Sequence, residues 1–408
     1  MNCRYCNAEL CNLFIDLGAQ PPSNAYLTNA MLNQTELYFP LKLYVCDKCF
    51  LVQTQDFTDR ETFFNSEYAY FSSTSTTWLQ HAKEFTKTVI NRFSLNEESF
   101  VIEIASNDGY LLKNFLADNI PSLGIEPTAS TANVAKERGI DTIVDFFGYD
   151  LSKKVISDYK KADFLIGKNV YAHVPDINDF TKGIEHMLND RGVVSLEFPH
   201  LYNLIKYNQF DTIYHEHYSY ISLNLVLQIF KKNGLRVFDA QEIPTHGGSL
   251  RVFGCKVSAE YETSGAISKI LKNEERLGLK KINTYTNFHE KVFEIKLRFL
   301  KFLVDAKINN KIVVGYGAAA KGNTLLNFSG IKKDLISCVF DAANSKQGKF
   351  LPGSQIPILD PEQIKKIDPD YVIIFPWNIK EEIFTNLSKI LNKRTKFVTV
   401  VPELEIFS

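Results

Sequence analysis

The chain has 408 residues, 45% apolar and 23% charged, a balance that suits a globular protein with two or three domains at roughly 150 residues each. Lys plus Arg total 46 and Asp plus Glu 47, a formal net charge of -1, which argues against a protein built mainly to coat nucleic acid. No apolar run approaches the ~20 residues of a transmembrane helix, and the start, MNCRYCNAEL, carries no apolar leader, so neither membrane nor nucleic acid is an expected partner and the expected location is cytoplasmic.

Residues 1–66 hold two Cys-x-x-Cys pairs and a turn-rich stretch with Pro21, Pro22 and Asn24. Seven cysteines are too few for a disulfide scaffold. Each pair presents two thiolates, and four thiolates close a tetrahedral zinc site, so Cys3, Cys6, Cys46 and Cys49 are the expected ligands of a structural Zn(2+). The 39 residues between Cys6 and Cys46 require a folded insertion. Cys11 lacks a paired partner, and Cys255 and Cys338 sit in apparent strands.

Residues 67–262 begin with an aromatic and hydroxyl-rich segment that crosses into a helix near Trp78–Val89. From Phe100 strands alternate with helices: SFVIEIASNDG, SLGIEPT, IDTIVDFF, ADFLIGKN and RGVVSLEFP read as five strands of a parallel, doubly wound sheet. GLRVFDAQEIPTHGGSLRVFGCKV breaks this rhythm and reads as an antiparallel pair closing the sheet. In 263–408, the Lys- and Glu-rich stretch 265–305 reads as a solvated helix pair linking domains. A second α/β unit follows, through NKIVVGYGAAAKGNTLLN, LISCVFDAANS, DYVIIFPWN and KFVTVVP. The expected fold class is α/β: a small zinc-binding N-terminal module, a central Rossmann-like domain and a C-terminal Rossmann-like domain.

The first strand-to-helix turn, EIASNDG, places Glu103, Ala105, Asn107 and Gly109 where doubly wound folds meet a cofactor. One glycine makes a poor pyrophosphate cradle, so a nucleoside without phosphates is favoured. Glu126 ends the second strand and can take both ribose hydroxyls; Phe146 and Phe147 can pack on adenine, and Asn169 follows strand four. The combination suits S-adenosylmethionine, with NAD as the rival. After strand five, Tyr214, His215, Glu216, His217, Tyr218 and Tyr220 crowd one short stretch, and His173 lies beyond strand four. Both stretches belong at the carboxyl edge of the sheet, and imidazole is the group best matched to proton abstraction near neutral pH. In GYGAAAKGNTLLN, Gly317 opens a turn into a helix start with Lys321, Asn323 and Thr324, a combination able to hold a phosphate or sugar.

Together, the paired cysteines, EIASNDGYLL, IYHEHYSYIS, THGGSLRVF and GYGAAAKGNTLLN resemble the sugar C-methyltransferases that make branched deoxysugars, in family order and over nearly the whole chain. Ala105 departs from the glycine more usual in that family. The resemblance implies a zinc module, a central class I S-adenosylmethionine methyltransferase domain and a C-terminal domain that helps hold a nucleotide. It further implies methylation of carbon 3 of a nucleoside-diphosphate 4-keto-6-deoxyhexose, usually dTDP-linked, by a monomer or small homo-oligomer. His217 is then the base, His215 the next candidate, and Tyr68, His173, Tyr214 and Glu216 surround the sugar, with His215 and Tyr218 among the substrate contacts. Rival readings are an O- or N-methyltransferase on a related sugar, a zinc-containing RNA-binding or RNA-methylating protein, and an oxidoreductase using GYGAAAKG for NAD with Asp341 on the ribose.

Overall fold

A computed structural model describes residues 1–57, 72–74 and 76–408. Strands β1 (Asn12–Gln20), β2 (Phe39–Val45) and β3 (Val52–Thr54) form an antiparallel sheet next to the cysteine pairs. In β2 side chains alternate between buried and half-buried, so one face packs inward.

The central sheet contains β4 (Val101–Ile104), β5 (Ser122–Ile125), β6 (Thr142–Ile143), β7 (Ala162–Lys168) and β8 (Leu188–Pro199), all parallel. β4 is buried at all four positions, as expected of a strand covered on both faces. After β8 the chain adds β9 (Ser219–Tyr220), which pairs with β3 of the first sheet. β10 (Leu235–Ile243) and β11 (Ser249–Lys256) then return as the expected antiparallel pair, β11 lying against β8. The order is β10-β11-β8-β7-β4-β5-β6, so the chain reverses direction between β4 and β7. That switch point opens a crevice at the strands' carboxyl ends. Helices cover both faces. Helix Ile177–Met187 starts at Asp176, whose carboxylate accepts from the backbone N–H of Asn178 and Asp179, and helix Leu223–Lys232 starts at Ser222, which accepts from Leu225.

The C-terminal sheet is built from β12 (Val313–Tyr316), β13 (Val339–Phe340), β14 (Ile358–Leu359), β15 (Tyr371–Ile374), β16 (Lys396–Thr399) and β17 (Glu405–Phe407), in the order β14-β13-β12-β15-β16-β17. Only β17 is antiparallel to its neighbour. Its own switch point, between β12 and β15, faces helix Ala320–Ser329.

The segment read as a solvated linker is more than that. Helices Gly265–Leu277 and Phe288–Ile308 bury Ile267 and Ile270, and Val292, Ile295, Phe299 and Leu303. Glu274 is buried, accepts from the N–H groups of Leu223 and Asn224, and pairs with His200 at 2.8 Å. Hydrophobic clusters also cross the three units. Cys3, Cys46 and Leu51 share a core with Ile102 and Leu196, while Phe14 and Leu41 share another with Leu325 and Ile373.

Candidate active site

The cysteine pairs form two matching knuckles. In each, a backbone N–H reaches back to the first cysteine's carbonyl, Asn7 to Cys3 and Phe50 to Cys46, both at 2.9 Å. Asn7 and Phe50 adopt left-handed backbones, φ +63° and +62°, which turns the chain so that both thiols of a pair face inward. Cys3 and Cys49 Sγ lie 3.6 Å apart, Cys6 and Cys46 Sγ 3.5 Å, and all four within 4.8 Å. A zinc tetrahedron with ~2.3 Å bonds has sulfur–sulfur edges of about 3.8 Å, so the donor set fits zinc with no position left for substrate. The module is docked on the central domain. Arg4 donates to the carbonyl of Pro175, and Asn178 donates to those of Arg4 and Tyr5.

A cavity of about 420 Å³ opens at the carboxyl edge of the central sheet, walled by all three units. On the β4–β5 side it is lined by Ala105, Asn107, Glu126, Phe146, Phe147 and Asn169. The EIASNDG turn holds three left-handed residues, Ala105, Asn107 and Gly109, at φ +57°, +51° and +74°. Glycine would be unstrained at Ala105, whose methyl group costs roughly 1–2 kcal/mol there. A Cβ on Gly109 would meet Ile140 Cδ1 at 2.2 Å. Each Glu126 oxygen already accepts one backbone N–H, from Asn107 and Thr128 at 2.9 Å, and keeps a lone pair for a hydroxyl. Asn169 Oδ1 is buried without a partner among the described residues. These groups fit the ribose, adenine and amino-acid ends of S-adenosylmethionine.

Glu103 and Gly109 stand outside this lining. Glu103 is fully buried and both its oxygens lack partners among the described residues; burial holds its carboxyl well above the usual range.

On the opposite side the cavity is lined by Asn24, His173, Tyr214, Glu216, His217, His246 and Lys321. His217 Nδ1 lies 2.9 Å from the Thr212 carbonyl, which can only accept, so Nδ1 carries the proton and Nε2 the lone pair. Burial, then the neighbouring His173, holds this imidazole neutral, well below its ordinary pKa. The Tyr214 and His173 rings stand 3.9 and 4.6 Å from it, centroid to centroid. Burial lifts the Glu216 carboxyl to about 7, against the pull of Asn24, whose Nδ2 donates to both oxygens at 2.9 and 3.2 Å.

From the C-terminal domain, Lys321 donates to Asn378 Oδ1 at 2.9 Å over the Trp377 ring, and burial lowers it to about 8. Lys346 also reaches the lining and donates to the Ala318 carbonyl. At the cavity wall Lys168 and Arg251 both pair with buried Glu197, at 3.1 and 2.9 Å, with His81 beside them. Burial alone would raise the Glu197 carboxyl, but these cations hold it below the usual carboxylate range.

Several residues assigned to ligand contact lie one layer back. His215 Nε2 meets the Phe39 carbonyl, and the Tyr218 ring lies under Arg4. Asn323 donates to the Ser23 carbonyl and Thr324 to that of Ile213, bracing the helix against the module and the segment that carries Tyr214 to His217. Gly317, at φ +86°, is packed on Pro376. None of the five lines the cavity. His215 is therefore a poor substitute base. Tyr68 lies outside the described residues. Asn24, Tyr26, His246, Lys168 and Lys346 were not assigned to the site from the sequence, where Asn24 read only as a turn residue and His246 only as part of THGGSLRVF.

Glu216 makes a pH signature. Its carboxyl is ~4.3 unfolded and about 7 folded, so ionising it inside the protein is penalised. Its contribution is intact below the unfolded value and is lost as pH rises through 7. Glu216→Gln should therefore melt progressively higher than the parent as pH rises from 4.5 to 7.5. An equal offset at every pH in a calorimetric series would contradict this.

The sheet order, the crevice at its switch point and the four-thiolate site define a zinc-containing, S-adenosylmethionine-dependent methyltransferase. Family models agree along the chain: a zinc binding domain over residues 3–64, a methyltransferase domain over 78–240 and a C-methyltransferase C-terminal domain over 244–402. The C-methyltransferase NovU of Streptomyces niveus is 32% identical over 406 residues, spanning 100% of this chain and 96% of NovU. The chain belongs to the C-methyltransferase family. Among solved structures, the PH0226 protein of Pyrococcus horikoshii OT3 aligns with TM-score 0.38 and 12% identity, over 49% of this chain and 100% of that one. Magnesium protoporphyrin IX methyltransferase of Synechocystis PCC 6803, with bound SAM, aligns with TM-score 0.35 and 12% identity, over 50% of this chain and 100% of its own. Among the described residues no helix is long and apolar enough to cross a membrane.

Proposed function

We propose that the acceptor is a nucleoside-diphosphate 4-keto-6-deoxyhexose, with dTDP as the nucleotide, and that the methyl goes to carbon 3 through an enolate. The observation that carries this reading is the neutral His217 imidazole, with its Nε2 lone pair, inside a buried group of hydrogen-bonding side chains. A ketone at carbon 4 acidifies the hydrogen on carbon 3. His217 Nε2 takes that proton, and the C–H electron pair becomes the carbon 3–carbon 4 double bond. The enolate oxygen then needs donors, which a dry cavity makes effective. Tyr214, His173 and Asn24 orient the sugar and exclude water.

S-adenosylmethionine held by Asn107, Glu126 and Asn169 would supply an electrophilic methyl, its carbon–sulfur pair returning to sulfur. Lys321, Lys346 and the N-terminus of helix Ala320–Ser329 offer positive potential to a diphosphate. The test is incubation with S-adenosylmethionine and a panel of dTDP- and GDP-linked 4-keto-6-deoxy sugars. Mass spectrometry reads a one-methyl gain and NMR places it. A methyl on the carbon beside the ketone supports the reading. Transfer only to a hydroxyl or amine overturns it in favour of a heteroatom acceptor.

A further inference from the structure

The turn joining β10 to β11 carries a group that the reaction above leaves unused. His246, Gly247 and Gly248 hold φ of +53°, +88° and +110° in succession. Glycine adopts such backbones freely, but a histidine there is strained. The turn is clamped from three directions. Gln209 Nε2 donates to the Gly247 carbonyl at 2.7 Å, and Asn203 Nδ2 donates to that of Gly248 at 3.1 Å. A Cβ on Gly247 would meet the Trp377 ring of the C-terminal domain at 2.3 Å.

The imidazole stands edge-on to Trp78, 5.1 Å between centroids, and lines the cavity. Its Nε2 is buried and has no hydrogen-bond partner among the described residues. Pairing of Ser249 with Pro199 puts the turn just past the end of β8, and His246 stands near enough to His217 to act on it electrostatically. Burial, then Lys321, lowers His246 to about 4, so it is a neutral ring with one N–H to donate. A strained backbone and a buried nitrogen without a partner among the described residues are features that concentrate where a ligand completes them.

We propose that His246 is a further catalytic residue, its ring N–H donating to the ketone oxygen of the acceptor and holding the charge of the enolate. The inference rests on the keto-sugar reading. When His217 takes the carbon 3 proton, the carbonyl π pair moves to oxygen, where His246 donates. When carbon 3 bonds the methyl, that pair re-forms the carbonyl. A neutral donor stabilises the oxyanion without transferring a proton to it, so the carbon remains the nucleophile.

The test compares the parent, His246→Gly and His246→Asn. Two rates are read: methyl transfer, and exchange of the carbon 3 hydrogen with deuterated water in the presence of S-adenosylhomocysteine, which reports enolisation alone. Glycine suits the left-handed backbone, so His246→Gly should melt no lower than the parent and bind S-adenosylmethionine within about threefold by calorimetry. Its kcat and exchange rate should each fall by at least ~10², the loss typical of one oxyanion donor, with KM little changed. Asparagine tolerates the same backbone and keeps an N–H, so His246→Asn should recover about tenfold over the glycine variant. Exchange in the parent that survives in His246→Gly overturns the role of His246 alone, as does a loss confined to KM. No exchange in the parent with any keto sugar overturns the acceptor reading and this role with it.

Discussion

Replacing His217 by asparagine is expected to lower kcat for methyl transfer by at least ~10², the scale of a positioned base. The variant is informative because it removes little else. Asparagine can keep the donor bond that His217 Nδ1 makes to the Thr212 carbonyl, so the loop retains its anchor. It has no basic nitrogen to replace Nε2. Melting temperature and S-adenosylmethionine affinity should stay close to the parent, since His217 and Glu126 are carried by different elements of the cavity wall, Glu126 at the end of β5 and His217 just before β9. Carbon 3 hydrogen exchange should disappear with turnover. Because burial keeps the parent imidazole neutral well below its usual pKa, protonation of His217 should not limit activity near pH 6. Turnover within about tenfold of the parent would remove His217 from the role. His173, whose ring stands 4.6 Å away, would then be examined next, ahead of His215, which faces the Phe39 carbonyl outside the cavity.

Cys46→Ser is expected to empty the zinc site and to lower the melting temperature by more than ~10 °C, because a structural zinc contributes many kcal/mol to the fold it closes. A serine hydroxyl does not ionise near neutral pH, so it cannot replace the thiolate. Cys46 is fully buried in the same core as Ile102 and Leu196, so a defect there reaches the central domain. Activity should fall with the metal. The module supplies Asn24, which holds Glu216, and Tyr26, whose hydroxyl donates to the Ala318 carbonyl in the C-terminal domain. Elemental analysis and calorimetry check both parts. A variant that retains about one zinc per chain and melts with the parent would show that the four thiols are not the ligand set.

What was legible in the sequence was local. The zinc knuckles follow from Cys-x-x-Cys spacing alone, since a separation of three residues brings both thiols to one side of a turn. The alternation of apolar strands and helices from Val101 to Pro199 follows from periodicity, which reports directly which side chains are buried. The clustering of Tyr214, Glu216 and His217 was visible because these residues are neighbours in the chain. The same reasoning misplaced Asn323 and Thr324. Both sit at a helix start suited to a ligand, yet they spend their hydrogen bonds on Ser23 and Ile213, 300 and 111 residues away.

By itself, the sequence determined the four cysteines of the zinc site, the strand order's raw material and the short stretch that holds Tyr214, Glu216 and His217, because each depends on spacings of a few residues. Tertiary structure decided who shares the cavity. Asn24 meets Glu216 across 192 residues, and His246 is turned inward by a strained backbone clamped between Gln209, Asn203 and Trp377. Such meetings depend on how three sheets pack against one another, and local periodicity carries no information about which distant side chains that packing brings together.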